Sequence, residues 1–228
     1  QLVIWTMSGV VMSLLPIAHV RGENMIGYAA PTELTVQNYF PPAGVLAEVD
    51  GAREATLKTW LGREVYVVTG EAGKTMFDAD TGERISPISE QQARQAAVVD
   101  FAGDDPVKGA ALLNRAPREA GGKGPIWRVE FSDRDETRIY VSPNTGEVAA
   151  RRNRVWRFYD FFWMLHIMDY EERENFNNPL IRTFAITGLL FALSGLTLVF
   201  FRIGSGRYAE DARRKLKPKS DNNEKAAG

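Results

Sequence analysis

The sequence contains no cysteine and only two histidines among its 228 residues. Without a thiolate, the chain cannot ligate an iron–sulfur cluster through cysteine, attach a c-type haem covalently or use a cysteine nucleophile. The absence of cysteine is compatible with an oxidising compartment but does not prove one. The two imidazoles, His19 and His166, have no catalytic or metal-binding motif around them in the sequence.

Acidic and basic residues nearly cancel, with a formal net charge of −1, so the distribution of hydrophobic residues carries the stronger signal. Residues 180–203 are apolar apart from an arginine near each boundary. At 1.5 Å per residue, this run can cross the roughly 30 Å hydrocarbon core of a bilayer. Asn178 can cap a helix and Pro179 suits its first turn, so we predict a transmembrane helix over residues 178–203.

The first apolar run of the chain, residues 2–18, is free of charge but slightly short for a membrane span. A secretory signal peptide is the alternative interpretation. However, the run is longer than most signal-peptide cores, and it lacks preceding basic residues and a small-residue cleavage site. We therefore predict a first transmembrane helix over residues 1–20. Because the chain begins with Gln rather than Met, we expect the start of this helix to be missing.

Basic residues after the second apolar run predict the orientation. Six lysines and arginines lie between residues 207 and 219, in a basic tail over residues 204–228. Positive charge close to a membrane helix is typical of the cytoplasmic side. Two spans would then place both termini in the cytoplasm and export the segment between them.

The exported segment contains an internal repeat. Residues 62–89 and 124–152 share one pattern: a strand, a polar turn, a short strand, a Thr-Gly-Glu turn and a third strand. Gly82 and Gly146 stand at matching turn positions, where positive φ is readily adopted. Each unit is therefore predicted to form a small antiparallel meander.

Helices are predicted before each meander. Ser89 and Gln92 have capping-box spacing, which predicts a helix that continues to Phe101. A second helix is predicted around residues 45–60. The fold class is therefore α+β, with two helix-plus-antiparallel-meander units, about 45–88 and 89–152, after a linker over 21–44 and between two transmembrane helices.

An aromatic segment, FYDFFWMLHIMDY, lies between this domain and the second apolar run. Arginines precede it, so residues 153–176 are predicted to form an amphipathic helix at the membrane interface, with guanidinium groups toward phosphate or anionic partners. The candidate interface residues are Arg151, Arg152, Arg154, Arg157, Phe158, Phe162 and Trp163.

The two histidines have two interpretations. His19 closes the first apolar run and His166 precedes the second, so the predicted topology places both imidazoles near the same outer interface. They are therefore candidate axial ligands for a b-type haem, which needs two nitrogen ligands in a water-poor pocket. The alternative is that a histidine in this interfacial segment simply hydrogen-bonds to a nearby carboxylate or carbonyl.

The order helix, strand, strand, T-G-E, strand resembles PepSY domains. The segment RVWRFYDFFWMLHIMDYEERENFNNPLIR before an apolar helix, together with W-T-x-S-G-x-x-M at residues 5–12, resembles PepSY-associated transmembrane proteins of bacterial inner membranes. That resemblance implies a periplasmic PepSY module, often associated with iron acquisition, and in larger members a haem-containing membrane reductase. This chain departs from the larger members in having only two predicted spans and two histidines.

Gly188, Ala192 and Gly195 form a stripe of small residues at i, i+4 and i+7, which allows close approach of another membrane helix. The alternative is that the stripe packs against Ser8 and Gly9 of the chain's own first helix. We expect an accessory, non-enzymatic subunit of the bacterial inner membrane whose periplasmic module binds a protein. Its expected partners are the lipid bilayer and other membrane subunits or a second copy, with no nucleic acid. The alternatives are a b-type haem electron-transfer subunit for ferric or ferrisiderophore reduction and a regulator of a periplasmic peptidase.

Overall fold

The computed structural model describes residues 2–27 and 38–204. Its α+β part, residues 42–152, is called the module below. It contains α3 (Pro42–Ala47), β1 (Glu54–Trp60), β2 (Arg63–Gly70), β3 (Gly73–Asp78), α4 (Glu90–Asp100), β4 (Val107–Leu113), β5 (Ile126–Phe131), β6 (Arg138–Val141) and β7 (Val148–Arg152). The helices outside the module are α1 (Leu2–Leu14), α2 (Ile17–Val20), α5 (Arg154–Ile167) and α6 (Pro179–Gly204). The α+β fold class is confirmed.

The strands form two antiparallel sheets in sequence order, β1-β2-β3 and β4-β5-β6-β7. Strand β2 is buried along Val65–Val68, whereas a half-exposed strand would alternate. The reason is that both faces of the first sheet are covered. Val65 and Val67 face a core shared with α4 and the second sheet, while Tyr66 and Val68 pack against α3.

The shared core joins the two predicted units into one folded body. Met76 from β3, Ala97 from α4 and Val129 from β5 are each fully buried within it. Alanines on α4 let the helix lie close to the second sheet, because they occupy the buried face of the helix. Neither sheet therefore buries its apolar face without the other unit.

The predicted start of α4 is confirmed. The Ser89 side chain accepts a hydrogen bond from the Gln92 amide, and the Gln92 side chain accepts from the Ser89 amide at 2.8 Å. This reciprocal cap satisfies two amide groups that the first helical turn leaves unpaired.

The predicted helix over residues 45–60 is wrong. Helix α3 ends at Ala47, and residues from Glu54 onward form β1. Gly51 adopts a φ of +61° in the intervening turn, a left-handed conformation that a helix does not accommodate. Beyond the turn, Thr56 and Thr59 supply β-branched side chains to a strand that pairs along its whole length with β2.

The meanders also differ from the prediction. The second unit has the three predicted strands, β5 to β7, but β4 was not predicted and extends the sheet at its edge. In the first unit, the predicted strand after the Thr-Gly-Glu turn is reduced to an isolated bridge between Phe77 and Arg84. Ladder pairing stops there because the amides of Ile85 and Ser86 both donate to the Met76 carbonyl.

The helices outside the module differ in length. Helix α6 begins at the predicted Asn178-Pro179 position, where the Asn178 side chain accepts from the Ile181 amide at 2.9 Å. Among the described residues, one helix is long and apolar enough to cross a membrane, over Pro179–Ile203 with a mean hydropathy of 2.2. Helix α1 has 13 residues, about 20 Å by its rise per residue, and ends before Pro16. The first predicted span, residues 1–20, therefore lacks the required helix length within the described residues. The basic tail beyond residue 204 and part of the 21–44 linker lie outside them.

The predicted interfacial helix over 153–176 is shorter than expected. Helix α5 ends at Ile167, and Met168 follows with a φ of +54°. The chain then turns around Asp169, whose carboxylate accepts from the amides of Glu174 at 3.1 Å and Asn175 at 3.0 Å. These backbone hydrogen bonds hold the pKa of Asp169 below its usual value. The turn redirects the chain into α6.

Candidate functional site at the junction of the module and the helices

The junction is the region where α5 leaves β7 and packs beside α1 and α2. Asn153 lies at its centre, with 1 % of its surface exposed. Its side-chain oxygen accepts from the Trp156 amide at 2.6 Å and so caps α5. Its side-chain amide donates to the His19 carbonyl at 3.2 Å. One buried side chain therefore both starts α5 and holds the end of α2 against it.

A buried carboxylate fixes α5 to the module. Asp160 is 7 % exposed and receives two hydrogen bonds from Arg118, at 3.0 and 2.5 Å. Arg173, in the turn between α5 and α6, binds the same carboxylate at 2.5 Å. Asp160 thus ties together the module, α5 and the segment that leads into α6, and two-point arginine binding restricts the angle between them.

The four arginines predicted to face phosphate have different roles in the structure. Arg151 pairs with Asp100 of α4, with its Nε atom 2.5 Å from the carboxylate, and Arg157 pairs with Glu136 at 3.0 Å. Arg154 is exposed. Arg152 stacks over the Trp156 ring at 4.5 Å. Carboxylates of the chain itself therefore pair with Arg151 and Arg157. Among the described residues, Arg152 and Arg154 have no such ion pair.

The aromatic side chains of α5 are partly uncovered. Phe158 is 50 % exposed and Phe161 is 47 % exposed, whereas Phe162 is partly buried between them, 4.8 Å from the Phe158 ring centre. Trp163 is also partly buried, and its indole donates to the Arg173 carbonyl at 3.0 Å. The phenylalanines form a partly exposed apolar surface on α5, while Trp163 supports the turn that follows.

His166 packs against α1. Its ring stacks on Trp5 with centres 5.3 Å apart and an angle of 13° between the planes. Its Nδ1 atom lies 3.2 Å from the Ser8 hydroxyl and 3.3 Å from the Trp5 carbonyl. A methyl group at Gly9 would approach the imidazole to 3.2 Å. The Ser8–Gly9 notch is therefore filled by His166 of α5 rather than by α6.

The two imidazoles are not brought together. The His19 carbonyl contacts Asn153 at the start of α5. His166 lies 13 positions after Asn153, which is about 20 Å along the axis of α5. Two axial nitrogens on one iron must both lie within bonding distance of that iron. The pair does not fit a single b-type haem in this arrangement.

The small-residue stripe on α6 is not closely packed: Gly188 lines an open cavity with Leu2 and Trp5 of α1. A methyl group at Gly188 or Gly195 would meet no described atom within 4 Å. None of the apolar window of α6 is buried against the described parts of the chain. The predicted packing of this stripe on Ser8 and Gly9 therefore does not occur in the structure.

The module has a groove of about 600 Å³ between its two units. One wall is the β1–β2 turn, with Trp60 and Leu61, and the other is α4, with Ala96 and Val99. Val99 is 52 % exposed at the edge of the groove. An apolar side chain of a bound protein could be buried here, so the groove is a candidate contact surface.

Together, the fold and the junction define an α+β module fixed through buried polar contacts to α5, with an apolar helix of membrane-spanning length after it. Residues 87–152 match the family model described as the peptidase propeptide and YPEB domain, PepSY. The chain therefore carries a PepSY domain, as the sequence motifs predicted. The match contains α4 and the four-stranded sheet. No curated protein and no solved structure matches the chain.

The residues that organise the junction were not predicted. Asp160 is the only carboxylate within α5, among aromatic and aliphatic neighbours, and that isolation was the available signal. Arg118 lies 42 positions away, so no local pattern connects the two. Asn153 was likewise missed as a cap, although it stands immediately before the helical segment.

Proposed function

We propose that this chain is a membrane-anchored PepSY protein whose module binds a protein partner, as an accessory subunit of a larger assembly in a bacterial inner membrane. The observation that carries the proposal is the contrast between the two parts of the chain. The module and α5 are joined through buried polar contacts, whereas none of the apolar window of α6 is buried against the described parts of the chain.

The hydrocarbon chains of lipids can cover most of α6, because its side chains are almost all apolar. The small-residue stripe supports a protein contact in addition, since glycine and alanine let two helix backbones approach closely. The Asp160 contacts then hold the module against α5 and the turn that leads into α6. A partner that binds the module and the helix together gains from this rigidity, because less freedom is lost on binding.

Cysteine cross-linking tests the partner on α6, since a chain without cysteine allows one to be placed anywhere as the sole thiol. We expect Gly188→Cys and Ala192→Cys to cross-link to a partner in native membranes through a thiol-reactive photo-cross-linker. Leu190→Cys is the control, because on a helix its side chain points away from the stripe. Equal labelling at all three positions, or none at any of them, would argue against a specific helix partner.

The topology gives a separate expectation. Ser132→Cys, at an exposed position of the module, should react with a membrane-impermeant maleimide in intact spheroplasts. Ser220→Cys, in the basic tail, should react only after the membrane is permeabilised, because positive flanking charge favours the cytoplasmic side. Reaction of Ser220→Cys in intact spheroplasts would contradict the proposed orientation.

Regulation of a periplasmic peptidase is the second candidate function. The family description, which names peptidase propeptides, favours it, and the groove between the two units offers a contact surface in the module. A cross-linker at Val99→Cys distinguishes the two candidates. Capture of a peptidase at this position would support regulation, whereas capture of the same membrane subunit as the α6 positions would support the accessory role.

A further inference from the structure

A cleft of about 460 Å³ lies at the junction, beside α5. Four arginines contribute to its walls: Arg21 after α2, Arg118 of the module, Arg152 at the end of β7 and Arg173 in the turn after α5. Two tryptophans, Trp156 and Trp163, line it as well, and Ile17 of α2 adds an exposed apolar side chain. Cationic and aromatic side chains thus converge on one concave surface.

The charges in this cleft do not cancel. Four arginines and three carboxylates, those of Glu119, Asp160 and Glu174, line the cleft, so its charged side chains carry one excess positive charge. Arg118 and Arg173 share one of these carboxylates, that of Asp160. Glu119 accepts from Tyr140 and lies 3.6 Å from Arg138, so other groups of the module engage it. The cleft therefore favours an anion.

Arg152 is the cation best placed to bind that anion. Among the described residues no carboxylate lies within ion-pair distance of it, and its buried Nε–H has no hydrogen-bond acceptor. One terminal nitrogen donates to the Arg151 carbonyl at 2.8 Å, and the guanidinium plane rests on Trp156. Burial lowers the pKa of Arg152, which is the effect expected when a cation loses water without gaining enough compensation.

The position of the cleft suggests where the anion comes from. Arg173 precedes the first residue of α6, Pro179, by six positions, so the cleft lies close to the start of the apolar helix. If α6 crosses the membrane, this height corresponds to the headgroup layer, where tryptophan side chains are enriched. Phosphate groups of lipids are the abundant anions at that depth.

We propose that this cleft binds the phosphate group of an anionic phospholipid, with Arg152 as the principal ligand and Trp156 and Ile17 against the adjoining apolar part of the lipid. The phosphate chemistry rests on the cleft alone, whereas the lipid source rests on the proposed membrane anchoring. A planar guanidinium can donate two parallel hydrogen bonds to phosphate, which a lysine cannot do.

The test is lipid binding to the full chain in neutral detergent, measured by native mass spectrometry. Phosphatidylglycerol is expected to bind at least about tenfold more tightly than phosphatidylcholine. Both lipids carry the phosphate, but the trimethylammonium group of phosphatidylcholine adds a positive charge that the arginines of the cleft repel. Arg152→Gln should remove that preference, and Arg152→Lys should retain part of it. Arg154→Gln, which removes the same charge from an exposed neighbouring position, should leave the preference unchanged.

Three results would decide against all or part of the proposal. Equal loss in the Arg152→Gln and Arg154→Gln variants would show general charge attraction and overturn the site. An unchanged preference in Arg152→Gln would also overturn it, provided that the melting temperature shows a folded protein. Binding of inorganic phosphate that depends on Arg152, without any preference for phosphatidylglycerol, would retain the phosphate site but overturn the lipid source. The measurement in detergent requires neither a protein partner nor membrane insertion, so it can succeed where the cross-linking at α6 fails.

Discussion

Asp160→Ala is expected to lower the free energy of unfolding by about 2–3 kcal/mol, because it leaves two partly buried arginines without their carboxylate. The value lies below that for a fully buried pair because the side chains of Arg118 and Arg173 are 35 % and 27 % exposed, and water screens them. For a chain of this size, the melting temperature should fall by roughly 4–12 °C. Thermal unfolding of the full chain in detergent, followed by near-ultraviolet circular dichroism, measures the change.

A matched control separates the contact from the loss of charge. Asp104→Ala removes an exposed carboxylate from a loop of the module and should change stability by less than about 0.5 kcal/mol. The double variant Asp160→Ala/Arg173→Ala should lose less stability than the sum of its single variants, because it also removes one of the uncompensated cations. Additive losses would mean that Arg173 and Asp160 do not interact energetically.

Gly146→Ala is expected to destabilise the chain by about 3 kcal/mol or more, because two separate costs combine. Gly146 has a φ of +65°, which a residue with a Cβ atom adopts only at a cost. The new methyl group would also lie 2.3 Å from the indole nitrogen of Trp60, which is buried in the shared core. That indole donates to the Gly146 carbonyl at 3.1 Å, so the clash would also disturb the contact between the two units.

Gly124→Ala isolates the first cost. Gly124 has the same φ of +65°, but a methyl group there would meet no described atom within 4 Å. We expect this control to lose only about 1 kcal/mol, the cost of the left-handed backbone. Urea unfolding of both variants measures the difference, which reports the packing of Trp60 against the second unit. Equal losses in the two variants would show that the indole moves aside at little cost.

These two variants affect different parts of the proposed function. Asp160 determines how the module is held against α5 and the chain that enters α6, whereas Gly146 determines how the two units of the module pack. If the partner requires a fixed angle between module and helix, Asp160→Ala should weaken cross-linking at α6 even at temperatures where the module remains folded. The groove beside Trp60 should instead respond to Gly146→Ala, because that contact forms part of its wall.

Local sequence signals predicted the elements whose cause is local. The capping box before α4 needs only Ser89 and Gln92, and α6 needs only a long apolar run after Asn178-Pro179. The same reasoning failed over residues 45–60, where the turn at Gly51 and pairing with β2 outweighed the helical interpretation. Strand β4 was missed because its glycine and alanines give a weak strand pattern until β5 pairs with it.

The sequence by itself determined an α+β PepSY domain followed by one helix of membrane-spanning length, because composition, turn residues and caps act over a few positions. Only the tertiary structure decided which side chains meet. It placed His166 on α1 instead of beside His19, and it joined Asp160 to an arginine 42 positions away. Such contacts depend on how helices and sheets pack. The number of residues between two positions in the sequence does not tell how far apart their side chains lie in the folded chain.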